Sequence, residues 1–411
     1  MNFGASTVAF HDPAWDERLD ELAGSGCDRV EISAAFGPGA REGAAFDYMD
    51  PLAVERAGRA LGRSGLALHS MHGPMMLLPP SRRSPFGGGG LEGLLEAERA
   101  ACDAVTAMGG RFIVTQDVAE LEPEDAPHLA SRSALTELGG YAAERGCVFC
   151  VENGAEDVRA FERLVDLVRG LGHPGLGICL DTGHAQVWNY HDVPRAIRAC
   201  GTALRSCHLH DNTGWSDEHL VPGEGVVPWR AVLDAFADVA YRGPLVVELH
   251  PGERGRDTGT EVRAAVEFLQ SVGCDRPGPA ATVDGLEVFG AGEADRERAA
   301  LVMGRGRVPG PVEDDGGIAL VAADRFGDPA AWGSLARSRN HDGEASLAIT
   351  FREAEDAEVA RVMAGLLVDS DDETVGRAVG AVRAEGPAAD ALLGMGYQCR
   401  PDGHFVRPGA A

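Results

Sequence analysis

Short apolar runs alternate with amphipathic windows through the first 272 residues of the chain. The runs are rich in Val, Ile, Leu and Phe and have the length of buried strands. The windows repeat apolar residues at i, i+3 and i+4, which is typical of helices that bury one face. Strands are predicted at residues 3–8, 29–32, 66–70, 111–115, 147–151, 176–180, 204–209 and 244–249. Helices are predicted near residues 14–24, 50–64, 91–108, 128–145, 156–171, 192–201, 228–239 and 259–272.

Eight strand–helix pairs in roughly 270 residues are the number and length expected of a (β/α)8 TIM barrel. Glycines at Gly65, Gly109, Gly110 and Gly146 suit the ends of the preceding helices. An open doubly wound sheet is the alternative, but such a sheet more often carries a glycine-rich phosphate loop after its first strand, and none is visible here. The glycine run at 87–90 is interpreted as a flexible loop that could act as a lid. We therefore predict an α/β protein with a TIM barrel over residues 1–273.

The chain changes character after residue 273. Proline, glycine and scattered charges predict a linker over 274–310. A smaller α+β domain is predicted over 311–411, with strands at 318–322 and 346–351. Its helices are predicted at 329–338, 354–367, 373–384 and 387–394. We find no metal-spaced cluster in this segment, and we interpret it as an accessory domain.

The charge balance restricts the partners of the protein. The net charge is −27, and both the barrel segment and the C-terminal segment are acidic. A protein that binds duplex nucleic acid needs a cationic surface, so a small-molecule substrate is expected instead. The sequence contains no lysine, which excludes a lysine Schiff base and leaves arginine as the fixed cation. Homo-oligomer formation stays open.

The cysteines and the N-terminus predict a cytoplasmic protein. Nine cysteines at irregular spacing, without a basic and apolar leader, are typical of reduced thiols. No apolar stretch is long enough to span a membrane. Cys147 and Cys150 form a CxxC inside the apolar run CVFCVE, which favours buried core thiols over a zinc knuckle.

Polar side chains follow six of the predicted strands at the same relative place. Functional groups of a TIM barrel gather at the carboxyl ends of its strands, so we expect these side chains to converge. The densest stretch is 205–225, RSCHLHDNTGWSDEHLVPGEG, although a polar surface loop is the plainer alternative for it. The strand-end candidates are His72, Gln116, Glu152, Asn153, Asp181, His184, His208, His210, Asp211, Asn212 and Glu248.

Four of these residues predict a metal site. Glu152, Asp181, His208 and Glu248 supply three carboxylates and one imidazole, which suit Mn²⁺, Co²⁺, Mg²⁺ or Zn²⁺. Such an ion could bind two adjacent oxygens of a hydroxy-carbonyl substrate and hold the enediolate that forms. Glu152 and Glu248 are the predicted catalytic residues, since either could pass the proton as base and acid. The pattern predicts a divalent-metal-dependent isomerase or epimerase.

Several neighbouring groups keep more than one interpretation. His184 is a candidate metal ligand, substrate contact or orienting residue. Asp217 and His219 could hold a further metal ion or pin their loop. His210 lies two residues beyond His208 on a bending strand end and is expected to point outward. A non-catalytic protein on a decayed barrel is a third interpretation, which the intact Glu152 and Glu248 oppose.

The motifs together resemble the xylose isomerase-like TIM barrel superfamily, which includes sugar phosphate isomerases and epimerases and endonuclease IV. They are VEN at 151–153, DTGH at 181–184, HLHDN at 208–212, DEHLVPGEG at 217–225 and VEL at 247–249. The ketose 3-epimerase branch implies one metal ion on Glu152, Asp181, His208 and Glu248, with the two glutamates as the proton-transfer pair. This chain departs from that branch where Val158 replaces a second glutamate and where the 212–219 loop lacks an arginine. Hydroxypyruvate isomerase and inosose dehydratase are other members.

The endonuclease IV branch implies a trinuclear zinc site and a multinuclear hydrolase or phosphodiesterase. Gln116 or a neighbour stands where that branch has a further histidine. The implied ligands are His72, Glu152, Asp181, His184, His208, Asp217, His219 and Glu248.

The C-terminal segment faintly resembles an acetyltransferase-like module through GGIALVAADRF and EASLAITF. The glycine-rich pyrophosphate loop expected there is replaced by AEDAEVARVMAGLL. The appended domain also leaves room for a specialised-metabolism metalloenzyme on the same barrel.

Overall fold

The structure is a computed structural model that divides into two compact units, Met1–Arg276 and Pro277–Ala411. It describes the chain apart from residues 11–13, 35–45, 74–89, 117–131, 156, 251–256, 274–278, 284–285, 304–317, 338–343, 352–355, 376–380, 385, 396–397, 400–403 and 407–411. Most of the glycine run at 87–90 therefore lies outside the described residues. In the described part of the chain, no helix is long and apolar enough to cross a membrane.

The first unit is a closed barrel of eight parallel strands, which confirms the predicted fold. Each strand pairs with its neighbours in chain order, and β1 closes the barrel by pairing with β8. The strands are β1 (Phe3–Ser6), β2 (Arg29–Ser33), β3 (Ala67–His72), β4 (Phe112–Gln116), β5 (Val148–Glu152), β6 (Leu176–Asp181), β7 (Leu204–Leu209) and β8 (Leu245–Val247).

Helices follow the strands as the hydrophobic periodicity predicted. They are α1 (Leu19–Ala23), α2 (Pro51–Ser64), α3 (Gly90–Ala107), α4 (Arg132–Glu144), α5 (Val158–Leu171), α6 (Thr182–His184), α7 (Val193–Cys200), α8 (Trp229–Asp238) and α9 (Thr258–Val272). Short 3-10 segments lie at Thr7–Phe10, Trp15–Glu17 and Gly201–Ala203, and a π-helical turn at Ala185–Asn189 follows α6.

The helix ends show why these segments stop and start where they do. The Asp157 side chain accepts hydrogen bonds from two backbone N–H groups of the first turn of α5, and Asp50 and Asp257 each accept one such bond in α2 and α9. Gly65 and Gly172 end α2 and α5 in the left-handed conformation, which costs glycine little. The predicted helix-ending role of Gly65 is therefore confirmed.

The walls of the barrel are apolar, and its carboxyl end is polar. Cys147 and Cys150 are buried and form no disulfide, as the core interpretation predicted. His69 is buried inside the barrel, with its ring 4.8 Å from that of Phe112.

The second unit is built on a mixed, mostly antiparallel sheet. Its strands are β9 (Ala281–Val283), β10 (Leu286–Gly290), β11 (Ile318–Ala323), β12 (Pro329–Arg337), β13 (Glu344–Phe351), β14 (Ala381–Ala384), β15 (Gln398–Cys399) and β16 (His404–Val406). The pair β13–β14 is parallel. The helices are α10 (Glu293–Met303), α11 (Ala357–Val375) and α12 (Pro387–Gly394).

Three sequence expectations for this unit differ from the structure. The helix predicted at 329–338 is wrong, because this segment forms β12 and hydrogen-bonds to both β11 and β13, which overrides the helix preference of its alanines. The helix predicted at 373–384 is also wrong at its end, since 381–384 forms β14. The range assigned to a linker, 274–310, contains β9, β10 and α10, which add two strands to the sheet.

Candidate metal centre

The four residues predicted to hold a metal ion lie together at the carboxyl end of the barrel. Glu152 ends β5, Asp181 ends β6, His208 lies in β7, and Glu248 directly follows β8. Each offers one ligand atom, and these atoms lie within 4.8 Å of one another. His208 Nδ1 is 2.7 Å from Glu152 Oε1 and 3.2 Å from Glu248 Oε2. We refer to these four residues as the quartet.

The four residues of the quartet are buried, and their carboxyl groups interact with nearby imidazoles. Burial by itself would raise the pKa of Glu152, but the His208 and His72 imidazoles lower it to about 2. Burial likewise opposes ionisation of Glu248, yet His208 and His219 hold the pKa of that carboxyl well below its usual range. Both glutamates are therefore carboxylates at neutral pH, which is the form that binds a cation or accepts a proton.

His72 adds a further imidazole to this end of the barrel. Its Nε2 lies 3.0 Å from Glu152 Oε2, and its Nδ1 lies 3.1 Å from the carbonyl oxygen of Gly73. The His72 and His208 rings stack with centroids 5.7 Å apart. Gln116 is half-buried at the end of β4, in register with Glu152. His72 could therefore bind an ion jointly with Glu152 or orient that carboxylate.

A second cluster lies beside the quartet and consists of His184, His210, Asp217 and His219. Asp217 is central to it. Its Oδ2 is 3.3 Å from His184 Nε2 and 3.2 Å from His219 Nε2, and its Oδ1 is 3.6 Å from His210 Nε2. Asp217 and His219 thus face the same cluster rather than only pinning their loop.

The expectation that His210 points outward is wrong. His210 is fully buried, and its Nε2 lies 3.0 Å from Asp181 Oδ1. Side chains two residues apart on a strand point to the same side, so His210 follows His208 inward. Gly183 packs against its ring, because a Cβ on Gly183 would lie 1.9 Å from His210 Cε1.

Asp211 organises the loop that carries Asp217 and His219. Its Oδ1 accepts hydrogen bonds from the N–H groups of Asn212 (2.9 Å) and Val227 (3.0 Å). Its Oδ2 accepts from the N–H of Gly223 (2.9 Å) and the indole N–H of Trp229 (2.8 Å). The Asp211 carboxylate is therefore engaged in the loop and belongs to neither cluster.

The donor set fits a divalent cation. Asp181 Oδ1 accepts a hydrogen bond from the backbone N–H of His184, whereas Asp181 Oδ2 is buried without a hydrogen-bond partner among the described residues. Asn153 holds the Asp181 backbone through two hydrogen bonds of 2.7 and 3.0 Å, so the position of this residue is fixed. An unpartnered buried carboxylate oxygen is costly, and a hard cation satisfies it. Asp217 Oδ1 in the second cluster is in the same state.

Two buried carboxyl groups near the site escaped the sequence analysis. Glu31 lies in β2, with its Oε2 3.0 Å from His208 Nε2. Glu98 lies on α3 and accepts a hydrogen bond of 2.9 Å from the Thr115 hydroxyl, and burial raises its pKa to about 8. The signal for Glu31 was a carboxylate in the middle of the apolar strand RVEIS. Glu98 gave no such signal, because an acidic residue on a helix is usually exposed.

Comparison with known proteins places the barrel in a family. The model of the xylose isomerase-like TIM barrel matches residues 19–272. The chain belongs to this family. The match covers the carboxyl ends of β2 to β8 and therefore includes the quartet and the second cluster.

Individual relatives match the chain over different lengths, and a solved structure shares its fold. The uncharacterized protein MJ1311 of Methanocaldococcus jannaschii is 28% identical over 289 residues, which cover 66% of this chain and 90% of that protein. D-psicose 3-epimerase of Ruminiclostridium cellulolyticum is 33% identical over 122 residues, which cover 29% of this chain and 40% of the enzyme. A crystal structure of D-psicose 3-epimerase with D-tagatose from Clostridium cellulolyticum H10 has a TM-score of 0.53 at 19% identity, and the match covers 66% of this chain and 99% of that one. The named relatives support an enzyme of the isomerase or epimerase type.

Proposed function

We propose that the protein is a divalent-metal-dependent isomerase or epimerase that acts on a small polyhydroxylated carbonyl compound such as a ketose. The observation that carries the proposal is the quartet, in which two buried carboxylates, Glu152 and Glu248, approach one imidazole nitrogen within 3.2 Å. The similarity to a protein named D-psicose 3-epimerase supports a sugar as substrate, over the 40% of that enzyme that the match covers.

Glu152, Asp181, His208 and Glu248 would hold the ion. When bound, a divalent cation supplies a Lewis acid that polarises a substrate carbonyl. The barrel supplies the rest of the chemistry. Asn153 fixes the backbone of Asp181, the backbone N–H of His184 donates to the Asp181 carboxylate, and His72 holds Glu152 by a 3.0 Å contact. These contacts keep the ligand oxygens in place before the substrate arrives, which lowers the cost of ordering the site.

Glu152 and Glu248 are the proposed proton carriers. One carboxylate removes the proton from the carbon next to the substrate carbonyl, and the C–H electron pair moves toward the carbonyl oxygen. The other glutamate, which has taken up a proton from solvent, gives that proton to the same carbon from the opposite face for epimerisation, and the carbonyl forms again. Strands β5 and β8 are three apart around the barrel, so their ends lie on different sides of a ligand bound between them. The depressed pKa of Glu152, about 2, keeps that carboxyl ionised before the reaction.

Hydrogen exchange tests this proposal directly. The metal-loaded full chain is incubated with ketoses in D₂O, and deuterium at the carbon next to the carbonyl is followed by NMR together with the epimer produced. The Glu248→Gln and Glu152→Gln variants are expected to lose about 10² to 10⁴-fold of the rate, because each removes a proton carrier. Glu55→Gln, which changes an exposed carboxylate on α2, is the matched control. Undiminished turnover in both site variants would show that the glutamates do not transfer the proton.

The second cluster favours one further candidate, a hydrolase that uses more than one metal ion. His184, Asp217 and His219 lie beside the quartet, and Asp217 Oδ1 has no hydrogen-bond partner among the described residues. Two ions a few ångströms apart stabilise the attacking and leaving oxygens of a displacement.

Metal stoichiometry separates the two candidates. Elemental analysis is made on protein purified without chelator or added metal, with Asp217→Ala in parallel. About one ion per chain, unchanged in the variant, supports the isomerase. Two or three ions, reduced in the variant, support hydrolytic chemistry.

A further inference from the structure

Glu31 is a buried acidic residue, and one of its carboxyl oxygens faces His208 of the quartet. It lies in the middle of β2 and is fully buried. The Ser70 hydroxyl on β3 donates a 2.7 Å hydrogen bond to Glu31 Oε2, and His208 Nε2 lies 3.0 Å from the same oxygen. The other oxygen, Oε1, has no hydrogen-bond partner among the described residues. Ser70 therefore fixes the oxygen that meets His208.

The His208 ring spans the space between Glu31 and the other carboxylates. Its Nε2 faces Glu31, whereas its Nδ1 lies 2.7 Å from Glu152 Oε1 and 3.2 Å from Glu248 Oε2. We propose that Glu31 is a positioning residue that accepts the Nε2–H of His208 and thereby keeps Nδ1 available to the metal ion. This inference rests on the metal site of the proposed function.

The reason lies in the two nitrogens of a neutral imidazole, of which one carries a proton and the other a lone pair. Without an acceptor on the far side, Glu152 and Glu248 would draw the ring proton to Nδ1, the nitrogen that must bind the ion. Glu31 offers a competing acceptor at Nε2 and also fixes the plane of the ring. A hydrogen bond on the second nitrogen of a ligating histidine usually sets its tautomer in this way.

Glu31 could instead serve packing alone, and a matched residue distinguishes the two roles. Glu98 is equally buried at the same end of the barrel and accepts a 2.9 Å hydrogen bond from the Thr115 hydroxyl. This bond comes from a hydroxyl group rather than from an imidazole nitrogen, so Glu98→Gln measures what the loss of a buried carboxyl costs by itself.

Cobalt binding provides the readout, because it needs no substrate. Co²⁺ affinity is measured by competition with a chromophoric chelator, and the visible absorption of the bound ion reports its ligand geometry. Glu31→Leu, which removes the acceptor, is expected to weaken Co²⁺ binding about 10- to 100-fold and to change the spectrum. Glu31→Gln keeps an oxygen that can accept the bond and is expected to recover part of the loss. Glu98→Gln is expected to bind Co²⁺ as the unchanged protein does.

Unchanged affinity and spectrum in a folded Glu31→Leu protein would overturn the inference. The unsubstituted protein gives a second test that does not depend on a variant folding. With ¹⁵N-labelled histidine and one equivalent of Zn²⁺, NMR is expected to show an imidazole bound through Nδ1 and protonated at Nε2. Zinc bound only through Nε2 atoms, or not bound at all, would contradict the assignment.

Failure of the proposed reaction gives a different result. If the Glu31 variants lose Co²⁺ affinity while the unsubstituted protein turns over no hydroxy-ketone, the positioning role stands and the isomerase fails. If the unsubstituted protein turns over a hydroxy-ketone while Glu31→Leu keeps full Co²⁺ affinity, the isomerase stands and the positioning role fails.

Discussion

Replacing Asp211 by asparagine should disorder the loop that brings Asp217 and His219 to the site. Each Asp211 oxygen accepts two hydrogen bonds, one pair from Asn212 and Val227 and the other from Gly223 and Trp229. An asparagine amide nitrogen cannot accept, so one pair of N–H donors loses its acceptor whichever way the amide turns. The change is nearly isosteric, and its effect therefore comes from hydrogen bonding rather than from a cavity.

The magnitude follows from the two donors that are left unpaired. A buried donor without a partner costs about 1–3 kcal/mol, so the loss of two such bonds should lower the free energy of unfolding by about 2–6 kcal/mol. In a barrel of this size, that loss should lower the melting temperature by roughly 10 °C. Gly225 limits how far the loop can rearrange around the substituted side chain. A Cβ at this position would lie 2.2 Å from Asp211 Oδ1, so the backbone of Gly225 packs closely against the carboxylate.

Thermal and denaturant unfolding of the metal-free full chain measures the effect. Glu218→Gln is the matched control in the same loop, since Glu218 accepts bonds from the exposed Thr213 and should change stability by less than about 1 kcal/mol. A destabilisation of Asp211→Asn no larger than that of Glu218→Gln would refute the view that this carboxylate holds the loop.

Two further predictions concern the carboxyl end of the barrel. Burial raises the pKa of Glu98 to about 8 from 4.5, so the stability that its bound proton gives is complete below about pH 4.5 and is lost as the pH rises through 8. At about 1.4 kcal/mol per pH unit, Glu98→Gln should gain roughly 3–5 kcal/mol relative to the unsubstituted protein between pH 5 and pH 8, measured by urea unfolding. A constant difference across this range would contradict the pKa shift. Gly183→Ala places a Cβ 1.9 Å from His210 Cε1, so the ring must move. For the hydrolase candidate, in which the second cluster binds metal, we expect this substitution to lower the metal content while the quartet keeps its ion. An unchanged metal content would contradict that expectation.

The quartet was predictable because it combines two local signals. Each member lies at or just beyond the end of an apolar run, and parallel strands of a barrel bring those ends together. Glu152, Asp181, His208 and Glu248 needed only the count of strands and their direction, which hydrophobic periodicity supplies. Their roles in binding and proton transfer stay predictions that the experiments above test.

Other features depended on pairings between residues far apart in the chain. Glu31 and His208 are 177 residues apart, and their contact exists only because β2 and β7 face each other across the closed barrel. Asp211 resembles its ligand-like neighbours in sequence, yet the loop that folds back on it takes all four of its acceptor positions. Composition cannot distinguish a carboxylate that organises a loop from one that meets an ion.

The sequence by itself determined the barrel, the order of its elements and the strand ends at which the functional groups lie. It could do so because hydrophobic periodicity is a property of each short segment of the chain. Only the tertiary structure decided how the imidazoles divide between two clusters, which way His210 turns and which nitrogen of His208 faces Glu31. It also decided that β12 is a strand, since partners on both sides satisfy its backbone. These outcomes depend on hydrogen bonds and charges contributed by distant segments, and no local pattern carries that information.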